Sequence, residues 1–279
     1  MWWDDRGHRR IPIDQDPGSS LPIVILLIIL ITWLYITINF THVSHHVNHH
    51  VSQKPQPFLA TDSPAGFYYN GTPTTAFAGY YCIESMNSSN GYSIQLSALL
   101  NNGVWVVNRY LKAPNGQTGF YINYLGAWPR TPKFVPATAW CAWLVLAIKD
   151  GYVYAGYSLN GRSIIWYDSI FMNVTYIEPS WSSGIVLAGY GNFSKARLGR
   201  GTLVYLALYY WNGTNWVPAP VGIANYMTAS ETVNHAWVFT SGSCGGYVAW
   251  FGWNETNQWS PVLPPNLEPV CPGPPSFKP

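Results

Sequence analysis

The chain has 279 residues and a formal net charge of +2 at pH 7; 9% of its residues are charged, 16% aromatic and 48% hydrophobic. So few charges, nearly balanced, exclude a nucleic-acid binder held by phosphate contacts, and so large an apolar fraction excludes a disordered chain. The length leaves room for one large β domain, or two small ones, beside a membrane segment.

The first twenty residues form a charged head with Arg6, Arg9 and Arg10 against Asp4, Asp5, Asp14 and Asp16. The run LPIVILLIILITWLYITINF from Leu21 to Phe40 follows. At about 1.5 Å of rise per residue, twenty apolar residues span the roughly 30 Å of bilayer hydrocarbon, so residues 21–41 are expected to form a single transmembrane helix. Asn39-Phe40-Thr41-His42 is bulky where a signal peptidase needs small side chains, which predicts an uncleaved signal anchor. Acidic residues count little in the positive-inside rule, so the head is placed in the cytoplasm and the body outside the cell. Trp33 and Tyr35 suit an outer aromatic belt.

Residues 42–66 read as a connector that ends in an extended QKPQP stretch. His42, His45, His46, His49 and His50 recur at steps of three and four, so a helix continued outward would carry all five on one face. Such a face suits a membrane or envelope partner, a proton-sensitive contact or a transition metal; a plain solvated stalk is the simpler alternative.

From residue 67 to 260 the text is β. Predicted strands run over Tyr92 to Leu100, Val104 to Leu111, Ala139 to Ile148, Tyr152 to Ser158, Ser163 to Tyr167, Ile185 to Gly189, Thr202 to Tyr210, Ala236 to Thr240 and Tyr247 to Trp253. Turns such as Asn102-Gly103, Asp150-Gly151 and Asn160-Gly161 separate them. The expected fold is all-β, an antiparallel β-sandwich or jelly-roll-like ectodomain, with two half-domains meeting near residue 180 conceivable. Residues 261–279 are so proline-rich that they cannot complete a hydrogen-bonded ladder, and are expected to lie extended on the surface.

Cys82, Cys141, Cys244 and Cys271 all lie in the body, and an even count outside the cell reads as two disulfides. Three connectivities are open; Cys82 with Cys141 and Cys244 with Cys271 is favoured because the second pair would staple the tail to the domain. Outside the membrane segment six sequons, at Asn70, Asn87, Asn173, Asn192, Asn212 and Asn254, predict a glycoprotein on the secretory route. The body carries only eight carboxylates, Asp62, Glu84, Asp150, Asp168, Glu178, Glu231, Glu255 and Glu268, so acid would remove little of its stability.

No phosphate loop, dinucleotide fingerprint, GxSxG elbow or HExxH appears, and no cofactor is expected. With the thiols paired and only His235 in the body beyond the juxtamembrane cluster, a carboxyl group is the expected actor of any enzyme here. The blocks YSIQLSALLNNGVWVVNRYL, GYVYAGYSLNGRSIIWYDSIFMNVT, GIVLAGYGNFSKARLG, LVYLALYYWNGTNWVPAP and TASET resemble the thermopsin family of archaeal acid proteases. The resemblance implies an all-β protein of hot, acidic habitats that hydrolyses peptides at low pH without a metal. A glutamic mechanism, in which a carboxyl activates water and an amide holds the oxyanion, would fall to Glu231 and Gln95. Two departures weaken it: Val107 stands where the family shows a glutamine, and Ser230 shifts the acid by one position.

The sequence therefore favours a membrane-anchored extracellular domain acting as a non-catalytic accessory or contact subunit, touching lipid and other envelope proteins through the helix and histidine face. The alternative is a tethered acid protease taking peptide substrates. A third reading is carbohydrate binding by Trp211, Trp216, Trp253 and Trp259.

Overall fold

The computed structural model describes residues 57–126, 132–191, 193–224, 231–240, 244–250, 267 and 271–279. The expected anchor helix and the histidine face lie outside these residues; among the described residues no helix is long and apolar enough to cross a membrane. In chain order the strands are β1 (Phe58–Ser63), β2 (Ala65–Tyr69), β3 (Ala76–Ser85), β4 (Tyr92–Leu99), β5 (Trp105–Lys112), β6 (Thr118–Leu125), β7 (Lys133–Pro136), β8 (Cys141–Lys149) and β9 (Gly151–Ser158). They continue with β10 (Ile165–Val174), β11 (Gly184–Ala188), β12 (Lys195–Ala196), β13 (Thr202–Trp211), β14 (Trp216–Pro218), β15 (Val221–Ile223), β16 (Thr232–Thr240) and β17 (Gly245–Trp250).

These strands build two sheets. The larger follows the order β1-β16-β17-β13-β3-β8-β9-β10, with β12 and β14 attached at its side; the smaller follows β15-β2-β11-β4-β5-β6-β7. Pairing is antiparallel except for the short β12–β16 contact. β11 lies between β2 and β4, and β13 beside β3, so strands from either side of residue 180 interleave in both sheets. A division into halves there has no counterpart. The sheet also starts earlier than expected, since β1 and the beginning of β2 fall in the stretch assigned to the connector.

Alternation decides the layers. On β4, Ile94, Leu96 and Ala98 enter the main core while Ser93, Gln95 and Ser97 take the other face. On β8, Leu144, Leu146 and Ile148 meet them from the opposite sheet, and Trp143, Val145 and Ala147 point outward. At Gly79 the sheets pack closely: an added Cβ would stand 2.9 Å from Ile185 Cδ1 and 3.0 Å from Leu96 Cδ1. One polar residue sits in this apolar layer: Asn108 donates to Val145 O at 2.8 Å and Gly156 O at 2.9 Å, and accepts from Tyr167 OH at 2.7 Å.

The disulfides are Cys82–Cys141, joining Cα partners on β3 and β8, and Cys244–Cys271, as favoured from the sequence. The second brings the tail onto the outer face of the larger sheet. There Tyr209 OH donates to Pro272 O, Ser276 N donates to Gly161 O at 2.8 Å, and Trp216 Nε1 donates to Phe277 O at 2.7 Å. Phe277 is buried among Trp143, Tyr209 and Trp216, so the end of the tail closes a second, smaller core.

Candidate functional site

The outer face of the smaller sheet is where polar residues go under cover. Ser93, Gln95 and Ser97 of β4 and Val107 and Arg109 of β5 all point away from the main core, yet each is less than a tenth exposed. Burying a polar side chain is unfavourable unless it is bonded, so a buried polar row outside the main core asks for a chemical reason.

Register fixes the neighbours. Gln95 and Arg109 are Cα partners, and so are Ser97 and Val107. Gln95 Nε2 donates to Ser93 Oγ at 2.8 Å, and Ser93 Oγ donates to Gly189 O. Arg109 Nη1 donates to Glu231 Oε1 at 3.4 Å, and the guanidinium carbon lies 5.1 Å from the centroid of Tyr121. The two side chains of the pair are 4% and 11% exposed. Of the two residues singled out from the sequence, Glu231 is bonded to Arg109, and Gln95 is the Cα partner of that arginine in the neighbouring strand.

Over the pair opens a cleft of about 320 Å³ whose walls include Arg109, Tyr121, Asn123, Tyr190, Phe193 and Glu231. Two buried polar atoms on this face, Arg109 Nε and Ser97 Oγ, have no hydrogen-bond partner among the described residues. Chemically the cleft offers the carboxylate of Glu231, the guanidinium of Arg109 to hold developing negative charge and the amide of Asn123 in its wall, while Gln95, 1% exposed and bonded to Ser93, lies beside it without lining it. Val107, buried on the same face opposite Ser97 and beside Asn123, supplies no hydrogen-bond donor.

Sequence reasoning passed over Arg109. The signal was there, since in VWVVNRYL the arginine falls on the face opposite Val106, Asn108 and Tyr110, in a strand whose neighbours on both sides could be read as strands. The remaining expected sites are dispersed. Asn70, Asn87, Asn173 and Asn212 are exposed, as acceptors must be, while Asn192 and Asn254 lie outside the described residues. Trp216 is buried and Trp211 packs on it at 5.4 Å between centroids, so these two form no flat exposed row; Trp253 and Trp259 are outside the described residues.

No family model matches the chain, and no curated protein matches it. Among solved structures it is similar to the crystal structure of scytalido-glutamic peptidase with a peptide-based transition state analog, at TM-score 0.41 and 9% identity. A second structure of that peptidase, with a transition state analog inhibitor, gives TM-score 0.42 and 7% identity; each match covers 69% of this chain and 100% of that one. These likenesses are too distant to transfer any residue's role to this chain.

Proposed function

We propose that the body is a peptide hydrolase of the carboxyl type, held outside the cell by its N-terminal anchor, with Glu231, Arg109 and Gln95 as its reactive group. The observation that carries this reading is the buried Arg109–Glu231 pair beside Gln95, with Arg109 Nε unpartnered at a cleft. The thermopsin-like motifs in the sequence agree with it.

In this reading Glu231 takes a proton from a water molecule as that water attacks the peptide carbonyl. The guanidinium of Arg109 stabilises the tetrahedral oxyanion, supported by the amide of Gln95 across the strand pair, and so supplies the charge that an amide at position 107 would have shared. Glu231 then returns the proton to the departing amine. The scarcity of carboxylates in the body suits work in acid.

Val107 favours a second reading, in which the same anchored domain does not catalyse and serves as a contact subunit of an envelope assembly. Both readings meet one experiment: peptide cleavage by the full chain in detergent micelles across pH 2 to 6. The hydrolase reading expects turnover that Glu231→Gln abolishes and that Gln95→Ala lowers by roughly a hundredfold. A folded protein without turnover leaves the contact subunit, and turnover indifferent to Glu231→Gln overturns the assignment of Glu231.

A further inference from the structure

On the outer face of the larger sheet, along its β9–β10 edge, four large rings stand in a row. Phe171 meets Tyr152 at 5.1 Å between centroids, Tyr152 meets Tyr154 at 6.2 Å, and Tyr154 meets Trp166 at 5.8 Å. Tyr152, Trp166 and Phe171 are 41%, 40% and 57% exposed, so this row is not part of either core. It ends in a cleft of about 670 Å³ whose walls include Lys133, Lys149, Tyr154, Trp166, Ser169 and Trp211.

The seat of Trp166 is specific. Its Cα partner is Gly156, and a Cβ on that glycine would stand 2.7 Å from Trp166 Cε3 and 2.6 Å from Ile164 Cγ2. With no side chain beneath it, the indole settles onto the backbone and keeps a broad exposed surface. Aromatic faces are electron-rich, and the C–H faces of pyranose rings are their natural stacking partners.

The polar lining supplies the rest of the chemistry. Lys133 and Lys149 are exposed, and neither has an ion-pair partner among the described residues. Asp168 at this cleft is buried and receives a hydrogen bond from Tyr124 OH at 3.0 Å, and Pro279 also lines the cleft. The cleft therefore pairs two exposed ammonium groups and the Ser169 hydroxyl with a stacking surface. A nucleic-acid strand would need a longer basic track than two lysines provide.

We propose that this cleft and its row of rings bind a glycan carrying acidic sugars. Trp166 and Tyr154 stack on sugar faces, Lys133 and Lys149 pair with the sugar carboxylates, and Ser169 bonds to hydroxyls. The site lies on the other sheet from the Arg109–Glu231 cleft and does not depend on that reading.

The test is native affinity electrophoresis of the full chain in detergent micelles through gels containing polygalacturonate, with dextran as neutral control and single-stranded oligodeoxythymidylate as nucleic-acid control. Polygalacturonate should retard the protein, and Trp166→Ala should raise the concentration for half retardation about tenfold, the scale of a stacking anchor. Lys149→Ala should weaken retardation, Trp166→Phe should restore part of it, and Gly156→Val, which lifts the indole, should behave like Trp166→Ala. Melting temperatures check each variant's fold; if Trp166→Ala is unstable, Trp166→Phe and Lys149→Ala decide. Absence of retardation, retardation unchanged in the variants, equal retardation by dextran, or stronger retardation by the oligonucleotide would each overturn the proposal.

Discussion

Asn108 shows how one side chain can join two layers. Its amide spends both donor hydrogens on carbonyls of β8 and β9, and its oxygen receives the hydroxyl of Tyr167, all within an apolar interior. Replacing it with leucine leaves two carbonyls and a hydroxyl short of these partners, and urea denaturation should register a loss of about 3 kcal/mol. Arg109 and Glu231 pose the related case of a buried ion pair. Glu231→Ala should lower stability by about 3 kcal/mol because it strands a buried guanidinium, whereas Arg109→Met with Glu231→Leu should recover most of the loss, as a double-mutant cycle would reveal. The sequence nominated Gln95 and Glu231 through residue type and resemblance. Alternation in VWVVNRYL marks the face Arg109 takes, but its place opposite Gln95 and against Glu231 depends on register, which is a property of paired strands.

At the scale of elements, the strands that alternation and turn residues marked clearly, β4, β5, β8, β9 and β13, are present within a residue or two of expectation. The strands passed over are instructive. β3, AFAGYYCIES, carries two small residues and a glycine among its first four, yet it lies between β13 and β8 in the larger sheet. Its glycine leaves room for the ends of Ile185 and Leu96 from the other sheet, so the feature that hid the strand takes part in the packing. The tail is the other element whose behaviour belongs to its surroundings. Cys244–Cys271 closes a separation of 27 residues, which in the chain-entropy account is worth about 3.5 kcal/mol. Cys271→Ala with Cys244→Ala should lower stability by up to that amount and shift tryptophan emission to the red, as Trp143 and Trp216 lose the cover of Phe277.

For the whole molecule, acid and alkali should act very differently. Twelve carboxylates in 279 residues leave little for acid to protonate, so melting followed by circular dichroism should change by only a few degrees between pH 7 and pH 3. Alkali meets a different population. Burial raises the phenol of Tyr209 to about 12 and pushes those of Tyr81, Tyr92, Tyr167 and Tyr205 further above the usual value of 10. The unfolded chain then releases these protons before the folded one does. Their contribution is complete below about pH 10 and is lost as pH climbs from there towards the folded values. The phenolate absorbance of these five residues should therefore appear only together with loss of β-sheet signal, and titration of all twenty tyrosines near pH 10 with the fold intact would contradict the burial.

The sequence by itself determined the all-β class and the presence of two disulfides, because alternation and cysteine count are written along one chain; it favoured one of three pairings and nominated Gln95 and Glu231. Only the tertiary structure decided what stands beside what. It interleaved the strands on either side of residue 180, set Arg109 between Gln95 and Glu231, and laid Trp166 over Gly156. These outcomes depend on which strands pair and in what register, a balance of contacts between residues far apart in the chain that no local pattern encodes.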